Sequence, residues 1–249
     1  MRAQLPLHLR LHTRALHSNG AKTKGSLGTL NSYFTGHPTG TFRHGIFSAL
    51  QQVCVLYRKE MTLNETMELL ASKGTEQTRK TFKRHGAPEP LFGVNVGDLK
   101  PIAKLIKGDQ ELALQLFATG NSDAMYLAGM VADGAKMKRA ELDLWASRAT
   151  WQMISGTTVP WVAAEHPDAI DIALAWIDSA KENIAVAGWA TLSAVVCVRP
   201  DSELPMKAFT ALLDRVAKTI HASQNRVRYA MNNFVICCGS RFRSSLITS

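Results

Sequence analysis

The side chains best suited to chemistry with a partner are cations in three short clusters. Arg79, Lys80, Lys83 and Arg84 lie in RKTFKRHG, Lys136, Lys138 and Arg139 in KMKRA, and Arg226 and Arg228 in NRVRYAMNN, beside Asn232 and Asn233. Each cluster falls at an expected helix end or on one helix face. Helix ends lined along one edge could track a phosphate backbone, whereas each cluster taken singly is an ordinary solvated face. Trp151 and Trp161 flank the uncharged stretch QMISGTTVP, which reads as a bend between helices. An aromatic pair there lines a groove or packs in the core. Trp145, Trp176 and Trp189 fall in apolar helix patterns and are expected inside.

Other chemistries find little support. The chain has no HExxH, GxSxG, P-loop or EF-hand pattern. His85, His166 and His221 are expected at helix ends, as solvated or capping groups. Cys54, Cys197, Cys237 and Cys238 lack metal-ligand spacing and read as buried reduced thiols of a cytoplasmic protein. No metal site is expected from these residues.

The charge is unevenly placed. Residues 1–60 hold eight Lys and Arg against one acid, Glu60, whereas the remainder holds 21 against 19. The body is thus nearly neutral, and net charge alone does not make it a DNA binder. The basic extension has three readings: a disordered arm that touches phosphates, a transit-peptide-like segment, or translated sequence upstream of a natural start at Met61. Thr62 and Glu65 form a capping box directly after that methionine. No apolar run reaches the roughly 18 residues of a membrane span.

The elements that must position these residues are helices. From Met61 onward, apolar residues recur at helical spacing and strict alternation is rare. In VGDLKPIAKLIKG, Leu99, Ile102, Ala103 and Ile106 share one face, with Pro101 placed in the first turn. ENIAVAGWATLSAVVCV reads as a buried helix. Short Gly, Pro and Asp connections predict stacked antiparallel pairs, an all-α α-solenoid of HEAT or armadillo-like repeats over residues 61–240, with a tail at 241–249. The competing architecture is an irregular all-α globule.

The order of several segments carries a resemblance. RKTFKRHGAPEPLFGVNVGDLKPIAKLI, then LALQLFATGNSDAMYLAGMVAD, WQMIS, VAGWATLSAVV and RVRYAMNNFVICCGS together resemble the AlkD-like DNA alkylation repair family across residues 61–240. The resemblance implies a right-handed α-solenoid of HEAT-like repeats with a concave basic channel for duplex DNA, and release of N3- or N7-alkylated purines without metal or organic cofactor. It also implies that Gly93 and Gly97 set the path from the first basic helix to the next repeat. In that chemistry a carboxylate opposes the cationic charge that develops on the sugar. The family's first groove tryptophan matches Trp151. Its catalytic aspartate, its arginine and its last tryptophan match Ser155, Ala187 and Asn233. No acid lies between Arg148 and Glu165, no arginine between Arg148 and Arg199, and no tryptophan after Trp189. Two functions follow as expectations. One is a duplex-DNA-binding repair-family protein with weak or altered base excision. The other is a catalytically silent solenoid serving DNA architecture or a protein partner.

Overall fold

The computed structural model describes residues 61–246, so the readings of residues 1–60 lie outside the described residues. The described chain is helical throughout, with no strand among the described residues. Its α-helices are α1 (Leu63–Lys73), α2 (Glu76–Arg84), α3 (Val96–Leu105), α4 (Gln110–Ala118), α5 (Ser122–Val131) and α6 (Arg139–Arg148). A π-helical turn (Ile154–Thr158) leads into α7 (Val159–Glu165), followed by α8 (Ala169–Ile177), α9 (Glu182–Val198), α10 (Met206–Thr219) and α11 (Asn225–Leu246).

Local chemistry explains the helix starts. The Thr62 hydroxyl accepts the Glu65 N–H, and the Glu65 carboxylate accepts the Thr62 N–H at 2.9 Å, which forms the expected capping box. The side chains of Thr75, Asp109 and Asn121 cap α2, α4 and α5 by accepting first-turn N–H groups, without the reciprocal bond. Two expectations need correction here. Because α3 begins at Val96, Pro101 lies in its second turn and leaves one carbonyl without its intrahelical donor. The boundary expected at residue 240 is crossed by α11, which runs on to Leu246 because its apolar spacing continues to the buried Phe242.

Two hydrophobic clusters follow one another along the chain. The first runs from Leu70 in α1 to Trp176 and Ala187, and the second from Ala164 in α7 to Phe242 in α11. Trp161 packs against both. Helix α9 joins them, with eleven of its 17 residues buried between α7, α8 and α11. Gly188 permits the closest approach, since a Cβ there would meet the Ile177 nitrogen at 2.7 Å. Each fully buried Leu, Ile or Phe stabilises the stack by about 1.5–3 kcal/mol before ordering costs. Trp145, Trp176 and Trp189 are core residues as expected, with Trp145 stacked on Phe117 at 3.9 Å.

The glycine-containing entry to α3 is held by a buried carboxylate. Asp123, in the first turn of α5, accepts the N–H groups of Phe92 at 2.7 Å and of Gly93 and Val94 at 2.9 Å. Gly93 has φ +82°, and a Cβ on it would lie 2.5 Å from the Arg79 nitrogen. Only glycine fits this backbone. Gly97 has no comparable constraint, as nothing lies within 4 Å of a Cβ built there. The path is therefore set by Gly93 and Asp123, and Gly97 has no part in it.

Candidate nucleic-acid interface

The expected bend QMISGTTVP is instead a π-turn continuous with α7. The Val159 N–H bonds the Ile154 carbonyl five residues back, which fits one extra residue into the helix ahead of Pro160. Gly129 of α5 makes room for this turn, since a side chain there would collide with the Thr158 methyl group. The turn holds Ser155 nearly buried, at 2% exposure, with its hydroxyl donating to the Trp151 carbonyl at 3.3 Å.

Trp151 is itself only 6% exposed. Its indole N–H donates to the His85 carbonyl at 3.1 Å, and its ring meets Phe82 at 5.2 Å. It thereby ties the end of α2 to the segment after α6. Cavities open on both sides of it. One, of about 360 Å³, is edged by Arg148, Met125 and Ser122. The other, of about 150 Å³, is edged by His85, Gln152, Ser155, Glu182 and Arg226. Four helix ends thus converge at Trp151: the last turns of α2 and α6 and the first turns of α9 and α11.

The acid in the smaller cavity is already engaged. The Glu182 carboxylate accepts the Arg226 N–H at 2.9 Å and so caps the start of α11, where negative charge is favourable. Asn183 donates to the Ala146 carbonyl at 2.8 Å and fixes the start of α9 against α6.

The structure sorts the sequence candidates. Trp151, Ser155 and Arg226 meet at the smaller cavity, and Arg84, in the last turn of α2, precedes the cavity-lining His85 in sequence. Ala187 is fully buried behind the cavity-lining Val186, which gives it no surface from which to meet a partner. Asn233 is exposed on α11, two turns beyond Arg226. In the first cluster Glu89 takes two cations, Arg79 and Lys83, each at 2.6 Å, and Lys80 lies 3.8 Å from Glu76. Hydrogen bonds from Lys83 and then Arg79 hold the Glu89 carboxyl below its usual range. In the second cluster Lys136 pairs with Asp133 at 3.0 Å, and Arg139 lies 3.9 Å from Asp143. That cluster sits at the N-terminal end of α6, about 13 Å along the helix from Arg148. It does not join the other two. Arg228 bonds Asn225 at 3.2 Å. Among the described residues Arg84, Arg148 and Arg226 form no ion pair.

Sequence reasoning missed Arg148, Gln152 and Glu182. Arg148 had a readable signal, a cation in the last turn of a helix three residues before Trp151. Glu182 had none, because only the tertiary stack brings α9 and α11 to the tryptophan.

A family model described as DNA alkylation repair enzyme matches residues 66–246, nearly the whole described chain. The chain belongs to the DNA alkylation repair family. Curated relatives include the uncharacterized protein Lin0241 of Listeria innocua, 34% identical over 65% of this chain and 71% of the relative. The uncharacterized protein Lmo0209 of Listeria monocytogenes is 33% identical over the same shares. A solved structure described as a new family of proteins related to the HEAT-like repeat DNA glycosylases with affinity for branched DNA structures superposes with a TM-score of 0.71. It is 38% identical, over 74% of this chain and 78% of that one. The expected all-α stack of HEAT-like helix pairs is thus the fold of this family member.

Proposed function

We propose that this protein binds DNA, with preference for branched forms, along the edge of helix ends beside Trp151 that carries Arg84, Arg148 and Arg226. The placement of these arginines carries the reading. Arg148 and Arg226 edge the two cavities beside Trp151, Arg84 directly precedes the cavity-lining His85 in sequence, and all three lie at helix ends and form no ion pair among the described residues. Backbone phosphates satisfy such cations, and releasing their counterions drives binding. The solved relative's described affinity for branched DNA supports the same reading.

Carboxylate-assisted base excision lacks its acid at the matching position. Ser155 is buried and spends its proton on the Trp151 carbonyl, and Glu182 is committed to the start of α11. Losing a group that opposes developing positive charge costs several kcal/mol of transition-state stabilisation.

Two measurements on the full chain test this together: anisotropy binding to a four-way junction and to an equally long duplex, and release of 7-methylguanine and 3-methyladenine from alkylated DNA. The expected result is tighter binding to the junction, with base release at the protein-free level. Equal or absent binding to both DNAs would overturn the branched-DNA reading and favour a protein-binding scaffold. Base release above background would overturn the account of Ser155.

A further inference from the structure

One face of α11 is unexplained by the fold. The helix buries Val227, Ala230, Met231, Phe234, Cys238 and Phe242 in the second hydrophobic cluster. The opposite side presents Arg226, Tyr229, Asn233 and Ile236, whose spacing of three, four and three places them within about 80° of one another. Tyr229 is 70% exposed and Ile236 56% exposed. Neither contributes to the core, so the fold does not account for an aromatic ring and a branched aliphatic side chain held in water. The stripe begins at Arg226, on the rim of the Trp151 cavity.

The chemistry around the ring narrows its occupant. Helix α11 contains Arg226, Arg228, Arg241 and Arg243 and no acid. Among the described acids, Glu182 faces its first turn, through the Arg226 N–H, and Asp201 pairs with Arg241 at 2.7 Å. Arg226 and Arg228, three residues and one residue before Tyr229 and flanking it around the helix axis, meet no carboxylate side chain with their guanidinium groups among the described residues. An exposed ring beside such cations suits a ligand with both flat apolar faces and negative charge. Nucleic acid strands have both, but a fully paired duplex hides its base faces in the stack. A branch point exposes them.

We propose that this stripe takes an unpaired stretch of DNA strand at a branch, with the Tyr229 ring stacked on an unstacked base, Ile236 against the next base or sugar, and Arg226 and Arg228 on the phosphates. The proposal rests on the DNA-binding reading above and adds to it the element that separates a branch from plain duplex.

The test compares wild type, Tyr229→Phe and Tyr229→Ala, each confirmed folded by melting. The probes are a fork bearing 2-aminopurine at an unpaired position beside the branch and an equally long paired duplex. Wild type and Tyr229→Phe should bind the fork alike and shift the 2-aminopurine emission, since stacking needs the ring and not the hydroxyl. Tyr229→Ala should bind the fork about ten-fold more weakly, with no emission shift, and bind the duplex as wild type does. Equal fork binding and emission by Tyr229→Ala and wild type would overturn the stacking role and leave the arginine edge standing. Failure of wild type to bind either DNA would overturn both readings. A concentration-dependent dimer of wild type that Tyr229→Ala abolishes, with fork binding unchanged, would assign the stripe to a second copy of the chain and overturn the proposal.

Discussion

The carboxylate of Asp123 accepts the backbone N–H of Gly93 at 2.9 Å, across 30 residues of sequence. The same carboxylate also holds the N–H groups of Phe92 and Val94. The segment between α2 and α3 thus gains fixed partners for its buried donors, and the first repeat is locked to the start of α5. Position and burial would make this acid attractive as a catalytic group. Its three backbone donors and its burial mark it as structural, since they fill most of the carboxylate's roughly four acceptor sites and keep it from a substrate.

Asp123→Asn replaces one acceptor oxygen with a donor facing amide donors. The expected loss is about 3 kcal/mol, read as a fall in melting temperature of about 10 °C. Gly93→Ala should also destabilise, because the alanine Cβ meets the Arg79 backbone and φ lies in the left-handed region. Unchanged melting of both variants would show that this entry is not a fixed element.

Ala187→Arg should destabilise the chain rather than add a DNA contact. The resemblance puts a functional arginine at this position, yet here the residue is fully buried in the core cluster. A guanidinium there meets overpacking and an unpaired buried charge, which cost several kcal/mol together. Thermal melting checks it, and a folded Ala187→Arg protein of wild-type stability would contradict the packing described.

Glu89→Gln should tighten DNA binding about three-fold and steepen its salt dependence by about one unit, as Arg79 and Lys83 are released to meet phosphates. Acid should act the same way. Because hydrogen bonds from Lys83 and Arg79 lower the Glu89 pKa, the ion pairs are complete above the usual carboxylate range and are lost as pH falls through the lowered value. A salt titration of binding, with wild type and variant side by side, reads both effects. Identical slopes would mean that these two cations lie off the DNA path.

Cys197 should be the reactive thiol of α9 and α11. A hydrogen bond from Cys237 lowers its pKa to about 7, with help from Arg241 and against the effect of burial. Cys237 is pushed up, and burial pushes Cys238 up to about 11. Alkylation of Cys197, followed by peptide mass, should rise through a midpoint near pH 7. Cys237→Ala should move that midpoint upward toward the ordinary thiol value. A midpoint unchanged by Cys237→Ala would place the cause elsewhere.

Much of the fold was legible because helical periodicity and capping are local. Thr62 and Glu65 mark a helix start without any knowledge of packing, and the burial of α9 follows from its apolar run. The π-turn was not legible. Its extra residue is accommodated by Gly129 of α5, a partner remote in sequence. The interface was half legible. Trp151 and the cluster at Arg226 stood out by type, but ion pairing decides which cations are available. Glu89 withdraws Arg79 and Lys83, and Asp133 withdraws Lys136. That selection depends on the fold and on no local pattern.

The most direct test of the arginine edge is a salt titration of four-way-junction binding by two triple variants. One carries Arg84→Ala, Arg148→Ala and Arg226→Ala, and the other Lys136→Ala, Lys138→Ala and Arg139→Ala. The account predicts that the first loses about three units of salt slope and about 100-fold or more in affinity at moderate salt, while the second stays within about two-fold of wild type. The opposite ranking, or equal losses in both, would contradict an interface centred on Trp151.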